Sequence, residues 1–119
     1  ILKASMVIAG KDCKDKADRE TVAAETLRCL RSAVPAILPG IVFLSGGQSD
    51  DDATAHLNEM NQMGPNPWPL SFSYGRAMQS AALKLWSADL NGNFAAAQKI
   101  VAQRARENGL AALGRWTEA

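Results

Sequence analysis

The chain has 119 residues, 47% hydrophobic and 21% charged, the length and composition of one folded domain, which excludes a disordered charged tail. Thirteen Lys and Arg oppose twelve Asp and Glu, and a net charge of +1 offers no broad field for nucleic acid or an anionic membrane, so any cationic site must be local. The apolar run Ile1–Ala9 falls far short of the ~20 residues that span a bilayer.

Residues 2–8 are apolar except for Lys3 and Ser5 and lead to Gly10, which predicts a buried parallel strand. A polar loop, Lys11–Lys16, follows. Val22, Ala23, Thr26, Leu27, Leu30, Ala33 and Val34 recur at three- and four-residue spacing and predict a helix that Pro35 stops. Pro39-Gly40 returns the chain to a second strand, Ile41–Leu44. Ser49 followed by Asp50, Asp51 and Asp52 has the form of an N-terminal cap, with acids where the helix dipole favours them, and the helix is expected to run to about Met60. Gly64, Pro65, Pro67 and Pro69 mark the next connection, before a third strand at Leu70–Ser73 and a helix from Arg76 to Trp86. A last helix spans about Phe94 to Leu113, with Phe94, Ala97, Val101 and Ala105 as its apolar stripe and Gly114 near its end.

Strands alternating with helices imply an α/β fold with parallel strands and right-handed crossovers. Three strands do not close a barrel. A TIM barrel takes eight over about 250 residues and commonly holds phosphate in the loops after its last two strands. The chain opens without Met inside a strand-like run, and its two glycine turns follow its last two strands. The expectation is therefore residues 1–119 as the C-terminal part, the last three strand–helix units, of a single TIM-barrel domain. The alternative is a free-standing three-stranded sheet with bare apolar edges.

Those turns, Leu44-Ser45-Gly46-Gly47-Gln48-Ser49-Asp50 and Phe72-Ser73-Tyr74-Gly75-Arg76, read together as a phosphate grip. Glycine lets the backbone approach an anion, a helix start offers unpaired N–H groups, and Arg76 can fork onto two oxygens. Either turn alone could equally be a plain loop before a helix. Lys3 inside an apolar strand is a candidate nucleophile, because desolvation would lower its pKa toward a neutral amine; on spacing alone it could also snorkel from a strand end. Asp50–Asp52 serve the helix start rather than a metal, and His56, with no companion for a triad or zinc site, reads as a solvated or core-edge histidine. Cys13 and Cys29 could pair in an oxidising compartment, but they lack metal or CxxC spacing, and the favoured reading is free thiols of a reducing cytosol. Trp68, Trp86 and Trp116 are too scattered to stack bases and read as packing residues.

Leu2-Lys3-Ala4-Ser5-Met6-Val7, the run from Pro39 through Leu44-Ser45-Gly46-Gly47-Gln48-Ser49, and Leu57-Asn58 through Trp68 to Phe72-Ser73-Tyr74-Gly75-Arg76-Ala77 resemble class I (Schiff-base) fructose-bisphosphate aldolase. The resemblance covers essentially the whole chain. It implies that Lys3 forms the Schiff base with the keto carbon of a sugar bisphosphate and that Ser45, Gly46, Gly47, Ser73, Gly75 and Arg76 hold the adjacent phosphate. It further implies reversible cleavage of fructose 1,6-bisphosphate to dihydroxyacetone phosphate and glyceraldehyde 3-phosphate, without metal or cofactor. A cytoplasmic homotetramer acting in glycolysis and gluconeogenesis is expected. The family often has Pro-Asn where this chain has Ala4-Ser5. Its acid/base groups and further lysines lie on earlier strands, and many members end in a tyrosine-bearing tail; these fall outside the 119 residues, so the segment alone is expected to be inactive. The alternative function is a noncatalytic scaffold that retains a sugar-phosphate site.

Overall fold

Three short strands, β1 (Leu2–Ala4), β2 (Ile41–Phe43) and β3 (Leu70–Phe72), form one parallel sheet in the order β1-β2-β3 in the computed structural model of the chain, which describes residues 1–118. They alternate with α1 (Arg19–Ala33), α2 (Asp50–Gln62) and α3 (Arg76–Ala88), and α4 (Phe94–Ala112) closes the order, giving the expected α/β pattern. Pairing is in register: Leu2, Ile41 and Leu70 share one row and Lys3, Val42 and Ser71 the next. Because side chains alternate along a strand, Ile41 and Phe43 of the central strand enter the core with almost no exposure while Val42 faces the other way. Leu27 and Leu30 of α1, Leu57 and Met60 of α2, and Trp68 and Tyr74 complete that core.

The starts of α1 and α2 and the end of α4 have local causes. Asp18 caps α1 by accepting the Thr21 N–H at 2.8 Å, and these bonds to Thr21 hold its carboxyl below the usual carboxylate range. Of the predicted apolar face, Val22, Ala23, Thr26, Leu27 and Leu30 are buried, whereas Val34 is half-buried and Ala33, in the last turn, is exposed. Ser49 caps α2 by accepting the Asp52 N–H at 3.1 Å. Gly114 takes the left-handed conformation, φ +67°, while Arg115 N–H donates to the Leu110 carbonyl at 2.9 Å, closing α4 as a glycine terminus does.

Two sequence expectations need correction. The first strand pairs only through Ala4, not to Ile8. Leu44 N–H still donates to the Ala4 carbonyl at 3.0 Å, but there the second chain turns into its glycine loop and leaves nothing to pair with. Val7 instead gives its N–H to the Thr26 hydroxyl at 2.9 Å, tying the segment to α1. In α4 only Ala97 of the stripe Phe94, Ala97, Val101, Ala105 faces inward; Ala105 is exposed, and Phe94 and Val101 are 51% and 40% exposed. The buried positions are Ala97, Arg104, Asn108 and Ala111, because α4 docks partly through hydrogen-bonded polar side chains.

Exposed Leu83, Trp86, Phe94 and Val101 leave an apolar groove between α3 and α4, with the Trp86 and Phe94 rings edge to face. Of the three tryptophans only Trp68 is buried, its indole N–H donating to the Pro35 carbonyl at 2.8 Å. Cys13 and Cys29 are both exposed and unpaired among the described residues. No described helix is long and apolar enough to cross a membrane.

Candidate functional site

The two glycine turns meet at the carboxyl ends of β2 and β3. Leaving β2, the chain buries Ser45 and closes a tight turn in which Gln48 N–H donates to the Ser45 carbonyl at 3.2 Å. Gly47 sits at φ +78°, a backbone shape that favours glycine, and a β-carbon there would come within 2.9 Å of Ile8 Cδ1, so the end of that side chain would also have to shift. A β-carbon on Gly46 would lie 3.3 Å from Arg76 Nη2. The missing side chain is therefore what lets the guanidinium rest against this loop.

On the neighbouring strand, Ser73 N–H donates to the Phe43 carbonyl at 2.9 Å, extending the sheet alignment one residue past β3. Tyr74 then turns inward and its hydroxyl donates to the Ala53 carbonyl at 2.8 Å; burial pushes its phenol well above the usual range. Gly75 is the N-cap of α3 and, having no side chain, caps nothing. Ser45 takes over part of that duty from the other loop, its Oγ accepting the Ala77 N–H at 3.4 Å. Ser73, Gly75 and Arg76 remain exposed. An open helix start, an exposed guanidinium and a glycine turn thus converge on one spot, an arrangement suited to an oxyanion.

Lys3 is the middle residue of β1, in the row of Val42 and Ser71. Alternation along β3 puts Ser73 on the same face as Ser71, hence on the face of Lys3. The expected desolvation is not met within this chain, because Lys3 is exposed. β1 is an edge strand, and among the described residues the one element it packs against is β2.

His56 is 5% exposed, with Nδ1 2.6 Å from Gln48 Oε1. It belongs to the core edge rather than to solvent. Burial lowers its pKa, the Asp52 charge opposes that shift, and Arg19 adds to it. Asp52 is itself bound by Arg19 Nε at 2.9 Å; burial works against its ionisation, but the guanidinium and the Ser49 cap still hold it below the usual range. A cleft lined by Ile8, Gly47, Gln48, Asp52 and His56 adjoins the first glycine turn, with Lys11 and Lys16 along it.

Arg104 escaped the sequence reading. Its side chain is buried, yet every branch of the guanidinium is engaged: Nε donates to the Ala77 carbonyl at 2.9 Å, Nη2 to the Asp50 carbonyl at 2.8 Å and to Thr54 Oγ1 at 2.7 Å, and Nη1 to Glu107 at 2.6 Å. Asn108 joins through Thr54, whose hydroxyl lies 2.7 Å from Asn108 Oδ1. The signal available in sequence was Arg104 three residues before Glu107, with Asn108 beside it, inside an alanine-rich helix.

A family model described as fructose-bisphosphate aldolase class-I matches residues 1–119. A protein of Xanthomonas campestris pv. campestris named "Probable fructose-bisphosphate aldolase class 1" is 71% identical over 116 residues, 98% of this chain and 35% of the relative. Fructose-bisphosphate aldolase 1 of Toxoplasma gondii is 52% identical, over 98% of this chain and 32% of its own length. Among solved structures, Plasmodium falciparum fructose-bisphosphate aldolase, crystallised with TRAP and a small-molecule inhibitor, superposes with a TM-score of 0.92 at 46% identity; the match covers 99% of this chain and 34% of that one. The chain spans about a third of the length of the curated relatives it matches.

Proposed function

Because this chain belongs to the class I fructose-bisphosphate aldolase family, we propose that it supplies the nucleophile and one phosphate grip for reversible aldol cleavage of fructose 1,6-bisphosphate. The observation that carries this reading is the meeting of the Ser45-Gly46-Gly47 turn with Arg76 and the open start of α3. Ser45, Gly46, Gly47, Ser73, Gly75 and Arg76 hold the phosphate next to the keto carbon. The neutral Lys3 amine then adds to that carbon, loss of water gives an imine on Lys3 Nζ, and uptake of a proton converts it to the iminium ion. As the carbon–carbon bond breaks, the hydroxyl of the departing carbon gives its proton to a base supplied from outside these 119 residues and the electron pair of the bond flows to the iminium nitrogen, releasing glyceraldehyde 3-phosphate and leaving an enamine. Protonation of the enamine carbon and hydrolysis release dihydroxyacetone phosphate and restore the amine.

In this reading residues 1–119 are the C-terminal three strand–helix units of a TIM-barrel domain. Two features support it: β1 and β3 each have an unpaired edge among the described residues, and Leu2, Val7, Leu83 and Phe94 are exposed. Strands from the remaining two thirds of the length would pair those edges and close over the Lys3 face, removing water from the amine and favouring its neutral form. Homotetrameric assembly, cytoplasmic location and a role in glycolysis and gluconeogenesis are proposed on family membership.

The test is incubation of the complete protein with fructose 1,6-bisphosphate in the presence of a metal chelator. Appearance of both triose phosphates at an undiminished rate is expected. Binding without cleavage would instead favour a noncatalytic scaffold that keeps the sugar-phosphate site.

A further inference from the structure

We propose that Arg104 is a positioning residue for the phosphate grip, setting the spacing between the two glycine loops; the proposal rests on the phosphate reading of those loops. The guanidinium reaches the first turns of two helices at once, the Asp50 carbonyl of α2 and the Ala77 carbonyl of α3. These are the turns that follow the two glycine loops. The residue held on α3 is also the one whose N–H meets Ser45 Oγ, so Ala77 is pinned to the first loop on its amide side and to Arg104 on its carbonyl side. Its chain neighbour is Arg76. Any tilt of α3 against α2 would therefore carry the Arg76 guanidinium away from Gly46.

The chemistry of the group fits this task. A buried guanidinium is tolerated only when its donors and charge are satisfied, and Glu107 at 2.6 Å with Thr54 at 2.7 Å completes what the two carbonyls begin. With all branches engaged, Arg104 has one geometry. Lysine keeps the charge but is a point donor that cannot span two carbonyls on separate helices in the same planar fork.

Arg104→Lys in the complete enzyme separates positioning from general stability. The expected result is a rise of about tenfold or more in the KM for fructose 1,6-bisphosphate and in the inhibition constant of inorganic phosphate, in line with the cost of displacing a binding group by ~1 Å. Borohydride trapping of the imine with unphosphorylated dihydroxyacetone should proceed at the parent rate, since it does not use the grip. A folded variant with unchanged phosphate inhibition, or with equal losses for phosphorylated and unphosphorylated ketone, would overturn the proposal. Arg76→Ala runs beside it: if neither variant alters phosphate inhibition, the phosphate reading fails, whereas an effect of Arg76→Ala alone removes only the role of Arg104. Should Arg104→Lys not fold, Thr54→Val, which takes away one Nη2 acceptor and leaves both carbonyls, is expected to weaken phosphate inhibition about threefold, and no change would count against positioning.

Discussion

Arg76 lies against Gly46 from the neighbouring loop, close enough that a β-carbon on Gly46 would stand 3.3 Å from Arg76 Nη2. One loop thus uses its missing side chain to seat the other's guanidinium. If the seated group forks onto a phosphate, Arg76→Lys should weaken binding of phosphorylated substrate to the complete protein by about 1.5–3 kcal/mol, since charge survives and bidentate geometry does not. Calorimetric titration measures this, and unchanged affinity would return Arg76 to an ordinary surface role.

The two adjacent glycines should respond differently to alanine. Gly47→Ala places a side chain at φ +78° and drives its β-carbon against Ile8, so a stability loss of at least ~1–2 kcal/mol is expected in urea unfolding. Gly46→Ala presses on the far end of a flexible arginine and meets Leu44 Cδ1 only at ordinary contact distance. It should leave stability nearly intact while displacing Arg76 and weakening phosphate binding. Equal stability losses at both positions would contradict this division.

Much of this arrangement is legible in sequence. The faces of α1 and the capped start of α2 follow from periodic apolar residues and from Ser49, signals that act locally and need no tertiary context. The glycine turns are legible for the same reason. What was not legible depends on partners. β1 ends at Ala4 because of where β2 turns, the exposure of Lys3 depends on what covers its face, and the inward side of α4 is set by Arg104 and Asn108, which a count of apolar residues passes over.

Stability should fall with acid through His56. Burial holds its pKa below the usual 6.5, so as pH drops through 6.5 the unfolded chain takes up a proton that the folded state refuses until lower pH. The contribution is complete above about pH 7 and is lost as pH falls from 6.5 through the folded value. Urea midpoints of the complete protein at neutral and mildly acidic pH should draw apart, and His56→Gln should narrow that gap. A gap that His56→Gln leaves unchanged would assign the acid sensitivity to other groups.

The 119-residue chain made alone should be aggregated or molten and should not cleave fructose 1,6-bisphosphate. Its sheet has two unpaired edges among the described residues, and Leu2 and Val7 beside one of them are 37% and 43% exposed, which invites strand addition between copies. Light scattering and near-ultraviolet circular dichroism check this. A monomer that unfolds cooperatively would support a self-contained three-stranded domain instead.

The role of Lys3 is tested most directly by borohydride reduction of the complete protein in the presence of dihydroxyacetone phosphate, followed by peptide mapping. Reduction converts the imine to a stable secondary amine on whichever lysine formed it, and the expected product is a single adduct on the peptide containing Lys3. No adduct there, or label confined to Lys11, Lys14 or Lys16 of the exposed polar loop, would contradict Lys3 as the nucleophile.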